Sequence, residues 1–334
     1  MPPHHREVAM DAAAASARAW TGRLDGHGTE HARWHMIVDT EEPSIADVAL
    51  LGFRSDEGVR RNRGRPGAAD GPGALRRALG PMALHGEIGA GRRRIVDLGD
   101  VAVDGQDLES GQEQLATRLG QVLRTTGDRG GLSLVLGGGH ETAWASYRGL
   151  AASGRLDDGA RWGVLNLDAH FDLRREERPT SGTPFAQMAD AEAAAGRELN
   201  YAVLGIAEPS NTGVLFEEAR RLGVRWLTDE QCADGGAEQV TAFVQDFTAD
   251  LDLLYLTIDL DVLPAAVAPG VSAPAAYGVP LPVIAAAVRA AAGSGKLALL
   301  DVVELNPALD VDSRTARTAA RLIDDAVRHA VGAR

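Results

Sequence analysis

Cys232 is the one cysteine in 334 residues, so no intrachain disulfide can form, which suits a reducing compartment. Basic residues are scarce relative to acidic ones: 34 Lys and Arg against 47 Asp and Glu leave a net charge of −13. That balance argues against nucleic acid or an anionic membrane as a partner, since both attract a basic surface. It still admits a local basic pocket for an anionic small molecule. No apolar run reaches the roughly 20 residues that span a bilayer. The start of the chain carries histidines and acids but no continuous apolar segment of the kind a secretory signal needs. Together these absences lead us to expect a cytoplasmic protein. No internal repeat is visible, and the Ala-rich stretches read as helix formers.

What is present is ordinary for a globular chain: 45% hydrophobic and 24% charged residues. Length alone would allow about two average domains, but open α/β sheets of this size are often single. We expect one domain over 1–334, with the polar, Ala-rich residues 1–35 as an N-terminal arm. Short apolar runs predict strands at 36–38, 48–51, 95–98, 132–136, 164–168, 201–206, 224–227, 253–258 and 297–304. Helices are expected around 12–20, after Pro72, along the stripe Leu108, Leu115, Leu119, Val122 and Leu123, and from about Arg314 onward. Strands alternate with helical stretches along most of the chain. The fold class that follows is α/β, with a mostly parallel central sheet and helices on both faces. The uniformly apolar run 253–258 fits a strand buried on both sides.

Polar clusters gather where strands end. His140 and Glu141 follow Gly137, Gly138 and Gly139; Asp168, His170 and Asp172 alternate after the strand at 164–168; Asp259 and Asp261 close 253–258; Glu304 closes the last strand. Alternate residues of an extended chain share a face, and carboxylates buried without a partner are costly. A divalent cation removes that cost. In an open parallel sheet all carboxyl ends lie along one edge, where ligands bind, so clusters far apart in sequence can converge. His140, Asp168, His170, Asp172, Asp259 and Asp261 are too many for one four-coordinate zinc. They suit two ions sharing carboxylates, and an oxygen-rich set without thiolate favours Mn²⁺. The triple glycine could instead cradle a phosphate, but the Lys-Ser/Thr of a Walker loop is missing.

The motifs Gly-Gly-Gly-His140-Glu141, Asp168-Ala-His170-Phe-Asp172 and Asp259-Leu-Asp261 resemble those of the arginase/agmatinase (ureohydrolase) family over nearly the whole chain. The resemblance sharpens toward the formimidoylglutamase branch of histidine degradation. It is carried there by Trp20-Thr-Gly-Arg23-Leu-Asp25, Arg33-Trp34-His35, the run from Gly52 to Asn62, Gly64-Arg65, Ser181-Gly182-Thr183-Pro184-Phe185, and the run from Pro269 to Gly278.

The resemblance implies a three-layer αβα, arginase-like fold. It also implies Mn-dependent hydrolysis of N-formimidoyl-L-glutamate to L-glutamate and formamide, through a hydroxide bridging two Mn²⁺ per chain. His140 and Asp172 would hold one ion, His170 and Asp261 the other, with Asp168 and Asp259 bridging. Glu304 matches the acid that grips the amidine-like group, and Asp172 is the expected proton carrier. Ser181, Thr183 and Arg174 would meet the amino-acid end of the substrate. Arg174 stands where arginases carry an Asn, and Phe185 where they carry a proton-shuttling histidine; both departures set this chain apart from arginase activity. An Arg suits a substrate with two carboxylates, and the crowded Arg60, Arg61, Arg63 and Arg65 could help, or could serve as surface or subunit ion pairs. The alternative within the family is a ureohydrolase acting on a guanidino acid, and outside it a non-catalytic binding protein on this fold. The family also implies a homo-oligomer, trimer or hexamer.

Overall fold

Every residue of the strand Leu253–Asp259 is buried, and the sheet is built outward from it. The computed structural model describes residues 17–40, 46–127, 130–157 and 159–331. Its strands are β1 (Val48–Arg54), β2 (Ile95–Ala102), β3 (Leu132–Leu136), β4 (Trp162–Leu167), β5 (Tyr201–Ile206), β6 (Arg225–Thr228), β7 (Leu253–Asp259) and β8 (Leu297–Val303). They form one eight-stranded sheet in the order β2-β1-β3-β8-β7-β4-β5-β6. Each neighbouring pair is parallel. The chain lays β1 to β3 on one side and β4 to β6 on the other, then returns to fill the centre with β7 and β8. The topological switch therefore lies at the middle of the sheet, where open α/β folds bind their ligands.

Alternation along the strands divides the core into two layers. Leu50, Leu134, Leu165, Leu256, Ile258 and Val302 face the helices Gly71–Leu79, Asp229–Thr248, Leu281–Gly293 and Arg314–Val331. Leu51, Val135, Val164, Val203, Tyr255 and Leu299 face Leu108–Gly127, Thr142–Ala152 and Pro184–Ala194. Helices thus cover both faces of the sheet, as expected. Among the described residues no helix is long and apolar enough to cross a membrane.

Two expectations need revision or restriction. Residues 36–38 do not form a strand: Trp34–Ile37 is a short helix. Its Trp34 is fully buried, and its indole N–H donates to Asp324 Oδ1 at 3.0 Å. A three-residue apolar run has no period to tell strand from helix, and here a helical turn is what lowers Trp34 into the core. Of the helix expected at 12–20, only 17–19 are helical among the described residues, and 12–16 lie outside them.

Candidate metal centre

The four central strands, β3, β8, β7 and β4, are the ones whose C-terminal ends carry the polar clusters. The glycines after β3 allow close approach of chain to chain: a Cβ on Gly138 would sit 1.9 Å from the Ser55 carbonyl oxygen. The run therefore packs against the β1 loop rather than leaving room for a phosphate. Gly138 O also accepts from the Glu304 backbone N–H at 2.7 Å, and the Glu304 carboxylate accepts from the His140 backbone N–H at 2.8 Å. The β3 and β8 loops are thereby locked together.

His140 points Nδ1 at three carboxylates: Asp172 Oδ2 at 3.0 Å, and Asp168 Oδ2 and Asp259 Oδ2 both at 3.1 Å. His170 points Nδ1 at Asp261 Oδ2, 3.1 Å away, and at Asp168 Oδ1, 3.4 Å away. Asp168 thus gives one oxygen to each group, as a bridging ligand does. His140, Asp168 and Asp259 on one side, and Asp168, His170 and Asp261 on the other, place ligand atoms within 4.8 Å of one another. Neighbouring groups aim these acids. Asn166 Nδ2 donates to Asp168 Oδ2 at 2.9 Å, and the backbone N–H groups of His170 and Asp261 donate to Asp168 Oδ1 and Asp259 Oδ1 at 2.7 and 2.8 Å.

The electrostatics ask for positive charge. Burial, reinforced by Asp261 and Asp168, pushes the Asp259 carboxyl well above the usual range. Burial and Asp168 raise Asp172, and burial raises Asp261. Burial disfavours a charged His140, yet the facing carboxylates of Asp168, Asp172 and Asp259 hold its pKa well above the ordinary value. His140 Nδ1 is buried with no hydrogen bond of ordinary geometry. An imidazole lone pair facing three carboxylates is what a divalent cation satisfies, and Asp168, Asp172, Asp259 and Asp261 together carry the charge that two such ions neutralise. The donor set fits the pair of ions expected.

A cavity of about 900 Å³ opens onto this cluster, lined by His140, His170, Asp172, Asp259, Asp261 and Glu304. Burial, with the charges of Glu141 and Asp261, raises the Glu304 carboxyl to about 8. Ser181 and Arg174 also line the cavity. Asn62 Nδ2 donates to Ser181 Oγ at 3.1 Å. Thr183 is placed differently from expectation. It is buried, does not line the cavity, and its hydroxyl is engaged with the Thr180 carbonyl and Gln187, both at 3.0 Å. Phe185 is fully buried, stacked on Tyr201 at 4.4 Å and edge-on to His140 at 5.4 Å. Its ring has no titratable group and offers no proton path.

The crowded arginines separate by partner. Arg60 is bidentate on Glu57. Arg61 binds Glu57, Glu109 and the Pro179 carbonyl. Arg65 is tied to the Val271 and Ser272 carbonyls, and Arg178 lies 3.7 Å from Glu109. The cavity wall also includes Arg63 and Arg174, with Glu176 and Glu177 nearby. No ion pair holds Arg63 or Arg174 among the described residues. Sequence alone could not single out Arg63, because Glu109 and the Pro179, Val271 and Ser272 carbonyls that occupy Arg61 and Arg65 lie far along the chain.

The model of the arginase family matches residues 46–328. A formimidoylglutamase of Nocardia farcinica is 55% identical over 309 residues, covering 92% of this chain and 95% of that protein. One of Rhodococcus opacus is 54% identical over 306 residues, covering 91% and 93%. Among solved structures, Trypanosoma cruzi formiminoglutamase with Mn²⁺ superposes with a TM-score of 0.73 at 27% identity, covering 84% of this chain and 92% of that one.

Proposed function

The chain belongs to the arginase family, and we propose that it hydrolyses N-formimidoyl-L-glutamate to L-glutamate and formamide, a step of histidine degradation. The observation that carries this reading is the pair of ligand groups sharing Asp168 at the floor of a cavity whose wall holds Arg63 and Arg174. His140, Asp168, Asp172 and Asp259 would hold one Mn²⁺, and Asp168, His170, Asp259 and Asp261 the second. When bound, two such ions lower the pKa of a shared water so that hydroxide is available near neutral pH.

The residues around them do the rest. Glu304, fixed through the His140 N–H, holds the cationic amidine group of the substrate in line for attack. Water adds to the formimidoyl carbon. Asp172 takes the proton lost by the attacking water and delivers it to the glutamate nitrogen as the C–N bond breaks. The oxygen leaves in formamide, and glutamate leaves as the free amine. Ser181 and Arg174 meet the amino-acid end, where a guanidinium can grip a carboxylate through two parallel hydrogen bonds.

We take residues 1–334 as one arginase-like domain with 1–35 as its arm, acting in the cytoplasm as a homotrimer or homohexamer. One continuous sheet and the span of the family match support the first, and family resemblance the last. The substrate is tested by incubating purified, Mn²⁺-loaded protein with N-formimidoyl-L-glutamate, guanidinobutyrate and agmatine in parallel. Stoichiometric formamide and glutamate from the first is the expected result. Turnover of a guanidino compound with none of the formimidoyl compound would overturn the assignment.

A further inference from the structure

The far side of the His140 ring meets a buried polar chain that the reaction does not touch. His140 Nε2 lies 3.1 Å from Thr257 Oγ1. Thr257 on β7 is the register partner of Asp301 on β8, so the two side chains stand side by side on one face of the sheet. Both are fully buried. Asp301 Oδ2 accepts from the Ser146 hydroxyl at 2.8 Å and from the Tyr255 hydroxyl. Asp301 Oδ1 is buried without a hydrogen bond of ordinary geometry; burial raises the carboxyl, and the Thr257, Tyr255 and Ser146 hydroxyls beside it oppose that rise.

The proton positions follow from the ligand role. For Nδ1 to offer its lone pair to a cation, the ring proton must sit on Nε2. Thr257 Oγ1 then accepts from Nε2–H, and its own proton is free to go to Asp301 Oδ1. The Ser146 and Tyr255 hydroxyls, both donors to Oδ2, hold that oxygen and leave Oδ1 as the acceptor still open on the carboxylate. An isosteric Val would suit this strand, whose neighbouring positions are Leu256 and Ile258. A hydroxyl beside a buried carboxylate is costly there unless it has a partner to serve.

We propose that Thr257 and Asp301 are positioning residues that lock His140 in the tautomer and orientation needed to bind the ion it shares with Asp168, Asp172 and Asp259. The inference rests on the two-ion reading of the site and is independent of which substrate is hydrolysed. It assigns the relay to one ion of the pair, because His170 shows no such chain among the described residues: its ring contacts there are Asp168 and Asp261.

The test uses the full chain as wild type, T257V, T257S and D301N, equilibrated against graded free Mn²⁺. Bound Mn per chain is measured, together with the electron paramagnetic resonance signal of an exchange-coupled Mn pair. Wild type and T257S should load two ions and give the coupled signal. T257V and D301N should keep one ion at near wild-type affinity and bind the second about 10- to 100-fold more weakly, the usual effect of losing such an outer partner. At low free Mn²⁺ they should give the signal of isolated ions. The proposal is overturned if T257V and D301N load both ions at wild-type affinity, or if T257S behaves like T257V. It is equally overturned if both ions weaken together with a fall in the melting temperature of the metal-free chain. A wild-type chain that binds no Mn²⁺ would sink the two-ion reading itself, a different result from a wild type that loads two.

Discussion

Asp172 and Glu304 hold backbone φ of 48° and 68°, a left-handed conformation that costs a residue with a side chain of order 1–3 kcal/mol. Such strain persists where the surroundings over-determine it. Here Phe185 N–H donates to the Asp172 carbonyl at 3.3 Å, and Glu304 N–H to Gly138 at 2.7 Å. Both residues are the ones given a role in moving or gripping the substrate. The same scale decides the arginines. If Arg63 and Arg174 each meet a carboxylate, Arg63→Ala and Arg174→Ala should each raise KM about 10-fold or more, as losing a charge-assisted hydrogen bond does, with kcat changed little. Arg92→Ala, which removes an exposed ion pair with Glu87, should leave KM unchanged. Steady-state kinetics on the three variants checks this, and equal KM values throughout would remove both guanidiniums from the substrate site. The convergence of these side chains was legible in the sequence because Asp168, His170 and Asp172 alternate and Asp259 and Asp261 repeat that spacing. Thr257 was not, since a lone Thr in an apolar run reads as a β-branched packing residue. Thr183 was misplaced because its motif says nothing of which way a hydroxyl turns at the start of Pro184–Ala194.

At the level of elements, the expected strands from 48 onward all appear, because parallel strands buried on both faces are apolar throughout and bounded by Gly or polar residues. Residues 36–38 failed because the segment turns into the short helix Trp34–Ile37 and meets β2 only through the single bridge Asp39–Val96. Arg76 is fully buried and bidentate on Asp97 at 2.7 and 2.9 Å, with Asp100 at 2.6 Å. Trp20 donates to the same Asp97 at 2.6 Å and stacks on Trp34 at 6.3 Å. Asp97 on β2 thus fastens both the helix Gly71–Leu79 and the arm. Asp97→Ala strands a buried guanidinium with one remaining partner, and breaking such a pair costs about 3–5 kcal/mol. Trp20→Phe removes one hydrogen bond, worth about 1 kcal/mol. Denaturant melts of both variants should rank them in that order. A Trp20→Phe loss as large as that of Asp97→Ala would mean that the arm, not the Arg76 pair, carries the stability.

For the whole molecule, the ligand cluster sets how stability answers to metal. Asp168, Asp172, Asp259 and Asp261 are buried together, so the native chain without cations bears their repulsion. An ion that binds only the folded state adds about 4 kcal/mol at a free concentration 1,000 times its Kd. Adding Mn²⁺ to chelator-treated protein should therefore raise the melting temperature in a concentration-dependent way, and calorimetry that shows no shift would mean the cluster does not take the ion. The proposed ligands come from distant parts of the chain. His140 follows β3, Asp168 follows β4 and Asp259 ends β7, strands well separated along the chain. A cation clasped among them ties distant loops into closed rings, the office that covalent staples perform in other proteins and that a chain with a solitary thiol must leave to coordination bonds. Chelation should accordingly loosen the catalytic rim first, and proteolytic nicks should appear there while the opposite edge of the sheet still resists.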